Sequence, residues 1–438
     1  MRLLDLRGQR PNRAELLALI PRHGGDLDAV HAAARDLVDE VKLEGEAALR
    51  LHAEKFDGVV DHAIAVPHEH LTQALAGLDA DVRAALESTI ERVRAASQVQ
   101  IPAGGTSQFG DGAAVTQRWL PVERVGLYVP GGKAVYPSSV VMNVVPAQAA
   151  GVTSIAVVSP PQKEFDGRVH PTILAAAALL GVTEVYAMGG ASAIGALAFG
   201  VSDLNLDPVN VITGPGNRYV AAAKRYVRSS VGIDSEAGPT EILIIADETA
   251  NPAWVAADLI SQAEHDEMAS SVLVTTSAEL VDQVSRELAA QTAATAHQER
   301  VEAALRGAQS ALVIVDDLDL AVAFSNLYAP EHLEVQTADN QALLPRLINA
   351  GAIFVGNYSP VSLGDYSAGS NHVLPTGGHA AFSSGLGAYT FLRAQQVVDY
   401  SADALRQVAT GLESLARSED LPAHGRAVSI RFDNEQES

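Results

Sequence analysis

The sequence predicts an α/β protein: two Rossmann-like α/β domains with parallel sheets, plus small helical segments at the N- and C-termini. Three observations carry this. Short apolar runs alternate with Ala-rich helical stretches from about residue 125 to residue 356. The strand–helix units outnumber what one open sheet of usual size holds. The stretches on either side have helical periodicity only. At 438 residues, a prior of ~150 residues per domain also argues against one compact domain.

Taken in order, residues 1–22 hold a short helical arm around 13–20. Residues 26–60 and 68–99 repeat apolar residues at spacings of three and four, with charges between them, and read as amphipathic helices. A strand follows at 126–129. Strand SIAVVS (154–159) precedes a helix near 171–180, and EVYAMGG leads into ASAIGALAFG. NVITGPGN leads into RYVAAAKRYV, and ILIIAD into PAWVAADLISQAEH. SVLVTT precedes a helix near 278–290, and ALVIVDD one near 317–328. AIFVG (352–356) is the last clear strand. Segment 134–162 carries no charge and no histidine. Pro137, Pro146, Gly151, Pro160 and Pro161 punctuate it, so it reads as a buried helix and strand rather than a membrane span. After about residue 386, FLRAQQVVDYSADALRQVATGLESLARSEDL returns to a helical pattern. The N-terminus lacks an apolar run of signal-peptide length, and a cytoplasmic protein is expected.

Composition narrows the function. With 47% hydrophobic and 19% charged residues, the chain is globular rather than disordered. Thirty basic against 53 acidic residues leave a net charge of −23, which repels phosphate backbones and argues against a nucleic-acid partner. There is no cysteine. Disulfides, thiolate metal sites and thiol nucleophiles are therefore excluded, and an oxidation through an aldehyde must proceed without a thiohemiacetal.

Candidate residues are scattered. The glycine turns GGK (131–133) and GPGN (214–217) follow strands. Each is either an ordinary tight turn or an anion cradle at a helix N-terminus. His31 and His52 sit in amphipathic blocks as surface or flank residues. His68 and His70 flank Glu69 in a loop. His265 closes QAEH with Gln262 three residues earlier on the same helix face, so the two can point at one ligand, or His265 can simply meet the helix dipole. Glu331 and His332 are adjacent in APEHLEV, a predicted loop, and form either a general-base pair or a polar dipeptide. Asp365 and His372 lie in the polar loop 364–378, and Glu419 and His424 near Pro422. A cysteine-free metal site would have to be assembled from such dispersed ligands. These residues leave open an oxidoreductase, a zinc hydrolase working through the same Glu–His pair, and a binding module.

Seven segments together resemble histidinol dehydrogenases: VGLYVPGG (125–132), GPGN (214–217), AGPTE (237–241), SQAEH (261–265), YAPEHLE (328–334), GDYSAGSNHVLPT (364–376) and AHGRAV (423–428). Their order and spacing fit from about residue 25 to about 430. The resemblance implies NAD-dependent four-electron oxidation of L-histidinol to L-histidine through L-histidinal, with one zinc ion per subunit orienting the substrate. By motif position it assigns zinc to Gln262, His265, Asp365 and His424. It makes His332 the base for the hydroxyl proton and Glu331 the residue that activates water at the aldehyde. Thr240, His372 and Glu419 fall on substrate contacts, together with Gln262, His265, His332, Asp365 and His424. Tyr128 and Asn217 fall on NAD contacts. Ser192 stands where the family often has a glutamine that touches NAD; its shorter side chain is expected to lose that direct contact or to reach NAD through water.

The resemblance also sets domain limits and partners. It implies an N-terminal arm over 1–24 and a first α/β domain over 25–127 and 239–385 carrying the zinc and catalytic loops. A second domain on the NAD side spans 128–238, and a dimerisation segment spans 386–438. The subunits form an intertwined homodimer in which Glu419 and His424 serve the neighbouring site. A helical block too small to bury its own apolar face agrees with docking on something larger.

Overall fold

The computed structural model describes residues 1–22, 28–131, 135–236 and 238–433. The chain divides into two units, the first made of 1–100 and 122–391, the second of 101–121 and the chain from 392 onward.

The first unit holds both parallel sheets expected from the strand–helix alternation. Six strands lie in the order Arg2–Asp5, Ala311–Ile314, Ser270–Thr275, Glu241–Ala246, His332–Gln336, Ala352–Val355, and every neighbouring pair is parallel. Five strands form the other sheet, in the order Glu184–Ala187, Ser154–Ser159, Arg124–Tyr128, Val211–Thr213, Gly232–Ile233, again all parallel. Strands EILIIA and SSVLVT are buried at every residue, as a sheet covered on both faces requires.

Strand alternation decides what faces what in the six-stranded sheet. Ile242 and Ile244 pack with Leu259 and Ala263 of helix Pro252–Ala263. Leu243 and Ile245 point the other way, into a cluster with Phe324 and Tyr328 of helix Leu318–Tyr328. Helix Pro252–Ala263 starts where its sequence dictates: Asn251 accepts from the Ala253 N–H at 2.9 Å, and Pro252 occupies the first turn. Its C-terminal end carries Gln262.

Several expectations change. Helix Asp28–Glu44 buries Val30, Ala34, Val38 and Val41 in one cluster with Ile194, Leu197 and Ile212. It therefore packs onto helices Gly190–Phe199 and Arg218–Val227 beside the five-stranded sheet, not on the six-stranded one with which 25–127 was grouped. Periodicity reveals that a helix has an apolar face but not which part of the fold receives it. Strand Arg124–Tyr128 likewise straddles the expected boundary at 127/128. The N-terminal arm begins as an edge strand, Arg2–Asp5, before helix Arg13–Leu19. His52 is buried rather than at the surface, and His68 and His70 open helix His68–Ala76 rather than lying in a loop. Within 134–162 the described residues form helix Pro137–Ala150 and strand Ser154–Ser159, as expected. No helix among the described residues is long and apolar enough to cross a membrane.

The second unit corrects the reading of 386–400 as helix. Leu392–Tyr400 is a strand, paired antiparallel to Ala113–Pro121, and Gly105–Gln108 adds a third strand. Its partner is more than 270 residues away in sequence, so nothing local identifies it. Helices Ala402–Ser418 and Pro422–Ser429 follow.

Candidate active site

Strands Glu241–Ala246 and His332–Gln336 are neighbours, with His332 opposite Ile242. Thr240 and Glu331 directly precede them, so the candidate residues gather at the amino ends of the strands. Ligands in open parallel sheets usually bind at the carboxyl ends. Glu331 and His332 are not in a loop that protrudes into solvent: both are buried, and His332 is the first residue of its strand.

A continuous hydrogen-bond chain joins three predicted residues. Gln262 Nε2 donates to Thr240 Oγ1 at 2.5 Å, and Thr240 Oγ1 donates to Glu331 Oε2 at 2.5 Å. Glu331 Oε2 also accepts from the Glu241 N–H at 2.9 Å. Gln262 Oε1 is then left buried and without a partner. His332 Nδ1 lies 3.0 Å from the Glu241 carbonyl oxygen. A carbonyl only accepts, so Nδ1 carries the hydrogen and Nε2 keeps its lone pair. That Nε2 is also buried and unpartnered.

Asp365 lies in helix Val361–Tyr366, and its carbonyl oxygen accepts from His372 Nδ1 at 3.1 Å. By the same argument His372 Nε2 accepts from Ser139 Oγ at 3.0 Å. His265 follows helix Pro252–Ala263 after Glu264.

Burial dominates the electrostatics. It pushes the Glu331 carboxyl up to about 8, opposed by its bonds from Thr240 and Glu241, and reinforced by the charge of Asp365. It drives His332, His265 and His372 below the ordinary histidine value, while Asp365 pulls each back up. All three imidazoles therefore sense the same carboxylate and favour the neutral form, which a base or a metal ligand needs.

The donor set suits a zinc-type cation. Neutral imidazole, carboxylate and an unpartnered amide oxygen are all oxygen and nitrogen ligands, and Gln262 Oε1 is a buried acceptor with nothing to accept from. Among the described residues no three His, Asp or Glu side chains are gathered as a metal-holding group. Gln262 is outside those residue types. Glu419 and His424 belong to the second unit, Glu419 at the C-terminal cap of helix Ala402–Ser418 and His424 in helix Pro422–Ser429.

The residues expected to meet the dinucleotide lie at the carboxyl edge of the five-stranded sheet. Tyr128 is buried, and its hydroxyl accepts from the Gly190 N–H at 3.2 Å. Asn217 caps helix Arg218–Val227, accepting from the Tyr219 N–H at 2.9 Å. Gly214 has φ +114°, and a Cβ there would stand 2.0 Å from the Tyr128 carbonyl oxygen, so only glycine fits this turn. Asp234 braces the same turn by accepting from the Gly214 N–H at 2.8 Å, and is itself paired with buried Lys224. Ser192 Oγ lies 2.8 Å from His52 Nδ1, whose Nε2 meets Glu40 at 2.7 Å. Gly132 and Lys133 of the first glycine turn, and Ala237 of AGPTE, lie outside the described residues.

Two site residues went unread in the sequence. Glu241 supplies backbone bonds to both Glu331 and His332, and burial lifts its own carboxyl to about 7. Arg22 pairs with it at 3.0 Å, its guanidinium stacked over the Tyr328 ring. The available signal was an acid opening an otherwise apolar buried strand, EILIIA.

Comparison with known proteins places this arrangement in a lineage. The family model described as histidinol dehydrogenase matches residues 20–432. The histidinol dehydrogenase of Leifsonia xyli subsp. xyli is 62% identical over 433 residues, covering 99% of each chain. That of Mycolicibacterium smegmatis is 59% identical over 436 residues, covering 99% of this chain and 98% of the relative. The crystal structure of histidinol dehydrogenase from Elizabethkingia anophelis superposes with a TM-score of 0.92 at 33% identity, covering 100% of this chain and 99% of that one. With its buried Glu–His pair at the amino ends of the six-stranded sheet, this chain belongs to the histidinol dehydrogenase family, a family of oxidoreductases.

Proposed function

We propose that the chain catalyses the NAD-dependent, four-electron oxidation of L-histidinol to L-histidine through L-histidinal, the last step of histidine biosynthesis, in the cytoplasm. The observation that carries the reading is the pair of buried, unpartnered atoms Gln262 Oε1 and His332 Nε2. Orphaned polar atoms cost free energy unless something binds them, and these two suit a cation and a hydroxyl proton.

His332 Nε2 takes the hydroxyl proton of the alcohol. The Nδ1 hydrogen held on the Glu241 carbonyl fixes the required tautomer and steadies the imidazolium that forms. Tyr128 and Asn217 would contact NAD, which when bound would supply the hydride acceptor for each oxidation. Glu331, once ionised, takes a proton from the water that attacks the aldehyde carbon. The His332 imidazolium returns its proton to the former carbonyl oxygen, and the resulting gem-diol presents a hydroxyl to the now neutral His332. Alcohol plus water thus becomes carboxylate, two hydrides and three protons, which explains how a chain without cysteine oxidises an aldehyde.

Gln262, His265, Asp365 and His424 would hold the zinc, which supplies a template that orients the substrate. Thr240, His372 and Glu419 contribute further substrate contacts. Glu419 and His424 come from the partner subunit of a homodimer, completing the neighbouring site.

The test is to mix the protein with L-histidinol and excess NAD and count NADH per histidinol, with and without chelator. Two NADH, lost on chelation and restored by zinc, is the expected result. One NADH would remove Glu331 from its role. No NADH from folded, zinc-loaded protein would overturn the reading and leave a hydrolase acting through the same pair.

A further inference from the structure

Strand His332–Gln336, HLEVQ, alternates polar and apolar residues, the usual mark of a strand with one face in water. Here both faces are buried: His332 is 4% exposed, Glu334 1% and Gln336 4%. Residues 332, 334 and 336 share one face by strand geometry. Register puts His332 beside Ile242 and Glu334 beside Ile244, on the side covered by helix Pro252–Ala263. Two of these polar side chains have no part in the chemistry proposed above.

Their partners explain why they are there. Glu334 Oε1 accepts from the Val361 N–H at 3.0 Å. Gln336 Nε2 donates to Glu334 Oε2 at 3.0 Å and to Asp258 Oδ2 at 3.2 Å. The Gln336 amide thus bridges the two carboxyl groups. Burial, together with the Asp258 charge, holds the Glu334 carboxyl well above the usual carboxylate range. Each element in this cluster carries a site residue one structural repeat away. Gln262 is one helical turn beyond Asp258, His332 is two residues before Glu334 on the same strand face, and Asp365 is four residues beyond Val361.

We propose that Asp258 and Glu334 are positioning residues: a carboxyl pair, Glu334 buried and Asp258 half-buried, bridged by the Gln336 amide, that locks helix Pro252–Ala263, strand His332–Gln336 and helix Val361–Tyr366 in the register that brings Gln262, His332 and Asp365 to one site. The inference rests on the function proposed above. Buried carboxyl pairs add little stability over apolar side chains of the same shape, so the pair is placed for register. Directional hydrogen bonds add to apolar packing in fixing where a helix sits along a sheet.

The test uses the full chain with Asp258→Leu and Asp258→Asn, the asparagine keeping a side-chain oxygen for the Gln336 amide. Three readouts are taken: thermal midpoint, zinc retention against a competing chelator, and KM against kcat for L-histidinol. The expected result for Asp258→Leu is a folded protein with a lowered midpoint, because the Gln336 amide loses an acceptor, with zinc affinity reduced ~10- to 100-fold, the usual effect of losing a residue that holds a ligand in place, and a raised KM. Asp258→Asn restores both to within about threefold. A folded Asp258→Leu protein with wild-type zinc affinity, KM and kcat overturns the proposal. If Asp258→Leu does not fold, Gln336→Leu decides, because it removes the amide between the carboxyls and leaves both in place: weakened zinc binding supports the lock, wild-type binding refutes it. Should wild-type protein bind no zinc, the metal assignment fails, and the lock is judged by crystal structures of metal-free wild type and Asp258→Leu. A shift of Gln262 relative to His332 beyond ~0.5 Å, the tolerance of a productive site, supports it; an unchanged separation overturns it.

Discussion

Thr240→Val tests how the Glu331 carboxyl is tuned. The Thr240 hydroxyl is wedged between Gln262 Nε2 and Glu331 Oε2, at 2.5 Å from each. Valine has nearly the same shape, so no cavity opens and the effect isolates the hydrogen bonds. Glu331 keeps its bond from the Glu241 N–H and loses the other. A hydrogen bond to a charged group contributes ~1.5–3 kcal/mol. At 1.36 kcal/mol for each pKa unit, its loss raises the carboxyl by roughly one to two units above its present value of about 8. At pH 8 the ionised fraction would fall from about one half to ~0.1–0.01. The aldehyde stage, which under the proposed mechanism needs ionised Glu331, should slow by ~5- to 50-fold there and recover in stronger alkali. Gln262 Nε2 also loses its acceptor, costing a further ~1–3 kcal/mol of stability. The assay is the pH–rate profile of L-histidinal oxidation, with Thr240→Ser returning the profile to wild type. An ascending limb that stays put in folded Thr240→Val would refute the idea that this hydroxyl tunes Glu331.

Other expectations follow from the same geometry. Glu331→Gln should slow aldehyde oxidation much more than alcohol oxidation, while His332→Asn slows both and leaves zinc bound; equal loss in both steps of Glu331→Gln would sink the division of roles. Stability of chelator-treated protein should fall between about pH 6.5 and 8. Above pH 6.5 the depressed histidines are neutral in both states, while Glu331 and Glu241, raised to about 8 and about 7, still hold protons that the unfolded chain has released. Glu331→Gln should flatten that slope, and an unaltered slope in melting scans would count against its raised pKa. Gly214→Ala should destabilise the chain by ~3 kcal/mol or more, since it combines a positive φ with a Cβ pressed onto the Tyr128 carbonyl. Wild-type denaturant midpoints would show the turn to be slack. His424→Asn should lose zinc to a chelator sooner than wild type, and unchanged metal content would remove His424 from the ligand set.

What the sequence determined by itself is what local pattern encodes. Apolar runs such as EILIIA and SSVLVT can only be covered strands, and their alternation with helices dictated parallel sheets. The motifs QAEH and PEH pointed to Gln262, His265, Glu331 and His332, because chemistry concentrates unusual residue pairs in short spans. The segment motifs together were enough to suggest the family. Tertiary structure alone decided the rest, because it depends on which distant segments meet. The apolar stripe of helix Asp28–Glu44 does not say which part of the fold it packs on. Nor does FLRAQQVVDY reveal that its strand partner is Ala113–Pro121. The hydrogen bonds that prepare the site were equally hidden. Glu241 reads as one more acid until its backbone is seen between Glu331 and His332, and Asp258 as an ordinary helix charge until Glu334 is found against it. A side chain's charge state and tautomer come from burial and partners, and these exist only once the chain has folded.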